Sequence, residues 1–190
     1  MNLRKTLFAI ALFLSPALAF AHAGHEHAGV LAGISHPLLG LDHLLAMLAV
    51  GLWAAQQAGA LRWALPLTFV ASMLVGGLLG FNGLQIPLME TGIAASVLAF
   101  GLLVAVAIRL PMLVSITLTA LFALSHGVAH GLELPALASP YGYAAGFLLA
   151  TAALHASGYA LVRLLPQAAA SLVRLAGGVS ALGGAWLLAG

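Results

Sequence analysis

Pro111–Glu133, PMLVSITLTALFALSHGVAHGLE, carries no ionisable side chain before His126, then places two histidines and a glutamate within eight residues. An apolar run of about 20 residues reads as a transmembrane helix. On such a helix His126, His130 and Glu133 stand at i, i+4 and i+7 and share one face. A second block, His36-Pro37-Leu38-Leu39-Gly40-Leu41-Asp42-His43, opens another apolar run. Together the blocks hold four of the eight histidines and two of the four carboxylates. An ionisable side chain at membrane depth costs roughly 2.5–3.5 kcal/mol. Six such groups in two short blocks require a ligand or a reaction, and imidazoles with carboxylates point first to a divalent metal.

The rest of the chain is consistent with a membrane protein. Hydrophobic residues make up 63% and charged residues 5% of the 190, and the mean hydropathy is +1.14. That is the composition of an all-α, polytopic membrane bundle. Six spans are expected after a leader, at about 36–56, 62–80, 88–108, 111–131, 141–163 and 171–189. Gln56-Gln57-Ala58-Gly59, Phe81-Asn82-Gly83, Arg109-Leu110-Pro111, Ser139-Pro140 and Pro166-Gln167 punctuate them. The sequence contains no G-x-x-x-x-G-K-[ST] nucleotide loop and no cysteine, and its basic residues form no patch. ATP hydrolysis by this chain, thiolate ligation and nucleic-acid binding are therefore not expected.

Arg4 and Lys5, followed by Leu7 to Leu14 and by Ala17-Leu18-Ala19 or Ala19-Phe20-Ala21, read as a cleavable signal peptide over residues 1–21. Residues 22–35 read as a histidine-rich periplasmic N-terminus, and 36–190 as the six-helix domain. A cleaved leader puts the mature N-terminus outside, and an even number of spans returns the C-terminus to the same side. Arg62, Arg109, Arg163 and Arg174 then all lie in or beside cytoplasmic loops, as the positive-inside rule requires. Trp53, Trp63, Tyr141, Tyr143 and Trp186 are expected at the interfaces, in a bacterial inner membrane. Gly76-x-x-x-Gly80, Gly127-x-x-x-Gly131 and Gly142-x-x-x-Gly146 permit close helix contacts within or between chains. The expected partners are accordingly membrane lipid, a divalent ion and a homo-oligomer.

Spans one and four run in opposite directions, so the two blocks meet at one depth near the outer face. The expected metal set is His36, Asp42, His43, His126, His130 and Glu133. Four neutral imidazoles and two carboxylates balance a divalent cation. Two roles stand open for Asp42, which points about 100° from His43 on a regular helix: ligand at an unwound start, or orienter of an imidazole. Pro37 suits a first turn, placing His36 near the helix start, and Gly40 leaves room between the histidines. His22, His25 and His27 form a candidate capture cluster at the mature N-terminus. His155, in mid-span five, reads either as a translocation ligand or as a core histidine bonded to Thr151 or Tyr159. Glu90 reads as an interfacial carboxylate, and Met47, Met73, Met89 and Met112 as packing.

The pair H-P-x-x-G-x-D-H in the first span and H-G-x-A-H-G-x-E in the fourth resembles the HupE/UreJ family of bacterial membrane proteins. The likeness extends over leader, histidine-rich start, six spans and both motifs. It implies a nickel permease supplying hydrogenase or urease assembly, not an enzyme. Ni(II) would be the transported substrate, with Co(II) or Zn(II) accepted by the same ligands and no permanently bound cofactor. The family's second motif often has Phe where this chain has Ser125. That hydroxyl motivates the rival reading, an intramembrane zinc hydrolase built on the same cluster.

Overall fold

A computed structural model describes residues 25–134 and 139–190, with side chains described from Gly29 onward. The expected signal peptide and His22 lie outside the described residues, as do the side chains of His25 and His27. The described chain is all-helical: α1 (His25–Leu39), α2 (Leu41–Gln56), α3 (Leu61–Phe81), α4 (Met89–Val106), α5 (Met112–Leu132), α6 (Pro140–Leu164), a 3-10 turn (Gln167–Ala169) and α7 (Ala170–Ala189). Five segments are long and apolar enough to cross a membrane, and six if α1 and α2 count as one broken span.

That break corrects the sequence reading of span one. Gly29–Leu39 and α2 meet at 79°, and the hinge residue is Gly40. Pro37 lies inside α1 rather than at a helix start, and His36 sits in α1's last turn. Helix extends back to His25, through residues expected to form a tail. Gly40 is the N-cap of α2 with an extended backbone and no side-chain cap. Its N–H donates to His36 O at 3.0 Å, and its own carbonyl accepts from Leu44 N at 2.9 Å. The chain thus turns sharply without leaving either backbone group unpaired.

Other termini follow ordinary capping chemistry. Ser139 caps α6 by accepting from Gly142 N at 3.3 Å, and Pro140 follows it at the first helical position. At the opposite end of α2, Trp53 Nε1 and Gln57 Nε2 both donate to Ile108 O, at 3.0 and 3.4 Å. Gln56 Nε2 donates to Val104 O at 3.1 Å. The end of α2 is thereby fastened to the end of α4. Trp53 is 0% and Tyr143 3% exposed, so neither is the interfacial anchor expected of it. Trp63, Tyr141 and Trp186 are exposed.

Helix α3 packs on α5, α4 on α7, and α6 on both α1 and α2. Gly76, Gly80, Gly127 and Gly131 make the α3–α5 seam, while Gly146 packs against Gly33 of α1. A Cβ on Gly127 would come within 2.8 Å of Gly77 N and 2.9 Å of Gly76 Cα. No side chain fits there, which fixes the height and rotation of α5. This seam is occupied within the chain and offers no face to a second copy.

Candidate metal centre

Four imidazoles from three helices converge in the bundle. Ring centroids of His36 and His43 are 5.3 Å apart, those of His130 lie 4.8 Å from each, and His126 is 4.7 Å from His43. His126 and His130 are fully buried and His43 is 5% exposed. One candidate ligand atom from each of His36, His43 and His130 lies within 4.8 Å of the others. Both sequence blocks therefore contribute to one trio. Imidazole nitrogens bind a transition-metal ion at about 2.0–2.1 Å, and a trio gathered this closely is of the size such an ion needs.

The carboxylates do not stand in the ring of candidate ligands. His43 Nδ1–H donates to Asp42 Oδ1 at 2.8 Å, and the same oxygen accepts the His43 backbone N–H at 2.7 Å. Both residues lie in the first turn of α2, where backbone N–H groups have no partner within the helix, and the Asp42 side chain folds back onto the His43 N–H and ring. Gly40 leaves this contact uncrowded: a Cβ on it would meet Asp42 Oδ1 at 3.0 Å and His43 Nδ1 at 3.3 Å. Glu133, the C-cap of α5, has Oε2 3.0 Å from His36 Nε2. That hydrogen bond holds the Glu133 carboxyl below the usual carboxylate range, with partial burial acting the other way.

His126 has a buttress that sequence reasoning missed. Its Nε2 lies 2.8 Å from Ser96 Oγ, whose single hydrogen is given to Ile93 O at 2.6 Å. Nε2 must therefore be the protonated nitrogen, which leaves Nδ1 with a lone pair. The same reasoning leaves lone pairs on His43 Nε2 and His36 Nδ1. Among the described residues, His43 Nε2, His126 Nδ1 and both nitrogens of His130 are buried without a partner. Buried polar atoms left unpaired are costly; a cation would take up the lone pairs of His43 Nε2 and of one His130 nitrogen. His130 is held by stacking, its ring 4.6 Å from Phe147 at an interplanar angle of 5°. Nothing in the sequence pattern singles out Ser96 or Phe147.

Residues outside the trio fall into place around it. Phe69 separates His126 from His155, with ring centroids 5.5 and 5.0 Å away respectively. His155 thus lies one aromatic ring from the cluster rather than isolated across the membrane. Neither of its nitrogens bonds to Thr151 or Tyr159. Glu90 shares a 150 Å³ hollow with Asp42, Thr91 and Leu187. Ser125 lies on the α4–α5 seam, where a Cβ on Gly92 would sit 3.2 Å from its Oγ. The hydroxyl that touches an imidazole belongs to Ser96, which removes the basis of the hydrolase reading.

Fold and site together define a multi-pass membrane protein with a buried imidazole cluster suited to a transition-metal ion. Residues 10–187 match the family model described as HupE / UreJ protein. The chain is 46% identical over 190 residues to Protein HupE of Rhizobium leguminosarum bv. viciae, covering all of this chain and 98% of that one. It belongs to the HupE/UreJ family, whose members are transporters of the nickel/cobalt class and not enzymes. No solved structure matches it.

Proposed function

We propose that this protein is an inner-membrane Ni(II) permease whose outer site is formed by His36, His43 and His130, with His126 beside them. Asp42 and Glu133 act on the ion through His43 and His36. Each carboxylate makes its imidazole a stronger donor and fixes its tautomer, and together they neutralise a divalent charge. Co(II) and Zn(II) compete for the same nitrogens. The mature N-terminus faces the periplasm, where His22, His25 and His27 capture ions, and the C-terminus lies on the same side. The delivered nickel serves hydrogenase or urease assembly.

The observation that carries this reading is the convergence of three imidazoles from two distant sequence blocks, two of which, His43 and His130, have buried nitrogens without a partner. The arginine distribution supports the orientation. The test is radiolabelled nickel uptake into proteoliposomes. His43→Ala and His130→Ala are expected to reduce flux at least a hundredfold, whereas Ser125→Ala retains more than half. Wild-type flux in either histidine variant would refute the site.

A further inference from the structure

A second group of donors lies inward of the imidazoles. Thr151 Oγ1 is 3.2 Å from Met47 Sδ and 3.6 Å from Met73 Sδ, and all three residues are 0% exposed. These methionines are scattered in sequence, yet α2 and α3 bring both sulfurs to one hydroxyl on α6. Thr151 has one hydrogen, so it cannot donate to both, and donor lone pairs remain facing one another. One turn further along α6 on the same face is His155, 2% exposed and with both ring nitrogens unpartnered among the described residues.

The spacing fits a path. Met47 follows His43 by four residues, about 6 Å along α2 at 1.5 Å per residue, and His155 follows Thr151 by the same step. Outer imidazoles, thioethers with a hydroxyl, and an inner imidazole thus succeed each other down the bundle. Two ligands each about 2.3 Å from one ion stand roughly 3.2–3.8 Å apart. The two sulfur–oxygen separations fall in that range.

We propose that Met47, Met73, Thr151 and His155 form an inner site for soft and borderline transition-metal cations, through which the ion leaves the outer imidazoles. This rests on the permease reading for its role in flux, but not for its existence as a binding site. All four donors are neutral. A divalent ion therefore keeps its charge uncompensated here, unlike at the outer site with its two carboxylates. Conduction needs a stage of that kind, favourable enough to enter and weak enough to leave. Thioethers also favour soft ions over Mg(II) or Ca(II), so the stage discriminates.

Silver(I) is the probe, because the chain has no cysteine to capture it. The full chain, purified in detergent, is titrated calorimetrically with Ag(I) and separately with Ni(II), and its nickel flux is measured in proteoliposomes. Met47→Leu with Met73→Leu conserves volume. It is expected to weaken Ag(I) binding at least tenfold and to cut nickel flux at least tenfold. Ni(II) retention at the outer site should stay within twofold, which also reports folding. Thr151→Val provides a second, isosteric variant with an expected threefold loss of Ag(I) affinity. Ag(I) affinity at the wild-type value in both variants overturns the inner site. Wild-type protein that binds Ag(I) through these methionines yet carries no nickel overturns the permease reading and upholds the site.

Discussion

The two sequence blocks supply the same chemistry from opposite kinds of backbone. The block on α5 sits on an unbroken helix whose position is set by glycine contacts with α3. The block shared by α1 and α2 straddles a 79° break. In the first case a regular helix aims His126 and His130 at the same interior. In the second the bend does the aiming: it brings His36 beside His130 and starts a new helix whose first turn leaves the His43 N–H free for Asp42. A rigid wall and a jointed wall thus face each other across the imidazoles. Precision on one side comes from packing, and on the other from a carboxylate hydrogen bond.

Proton competition is the largest expected effect. An imidazole must be neutral to ligate and protons compete with the metal for its lone pair, so nickel retention falls as pH drops. Equilibrium dialysis should show more than a hundredfold weaker binding at pH 5 than at pH 7.5. Glu133 does not cause that loss. Its depressed carboxyl remains ionised throughout the window, and its contact with His36 fails only when pH falls below the ordinary carboxylate range. Equal or tighter retention at pH 5 would refute imidazole ligation.

The next variants separate the two walls. Asp42→Asn removes the charged acceptor from His43 and is expected to weaken nickel retention about 10–100-fold, with little change in thermal stability. Gly127→Ala should do the reverse. It forces apart α3 and α5 at about 1–3 kcal/mol, read as a lower thermal transition in detergent. Gly40→Ala lies between these cases: its backbone torsions suit alanine, but the new methyl crowds Asp42 and His43. Roughly a fivefold loss of retention with an unchanged thermal transition is expected, within the range of a disturbed orienting contact. If Gly40→Ala melts early instead, the joint is a stability element and the contrast fails. Ser96→Ala removes a neutral buttress from His126 and should cost least, about threefold in uptake.

The α5 block was legible in the sequence because periodicity holds wherever a helix is continuous. His126 and His130 needed only the 3.6-residue repeat, whereas Glu133, at the helix's C-cap, bonds His36 instead. The first block was not, because the 3.6-residue repeat does not carry across the break at Gly40, and Pro37, a residue that suits a first turn, lies inside α1 near its end. His36 and His43 do meet, but through the bend rather than through a shared face. The aromatic residues expose a second limit. When every face of a helix is apolar, hydropathy does not tell which side meets lipid, so Trp53 and Tyr143 read as interfacial and are buried. Ser96 and the Met47–Met73–Thr151 contact join separate helices, and no single-segment pattern records such a meeting. What the sequence did carry plainly was charge placement, since so few ionisable groups occur that each one stands out.

The hydrogen bonds from Trp53, Gln56 and Gln57 to the end of α4 have a mechanical consequence. A rod clamped at its foot and jointed at its head has one soft motion, a tilt about the clamp. Cargo drawn in by His43 would lean α2 over this fulcrum rather than slide it. The greatest travel then falls at the mouth of the bundle, and the least at the fastened end.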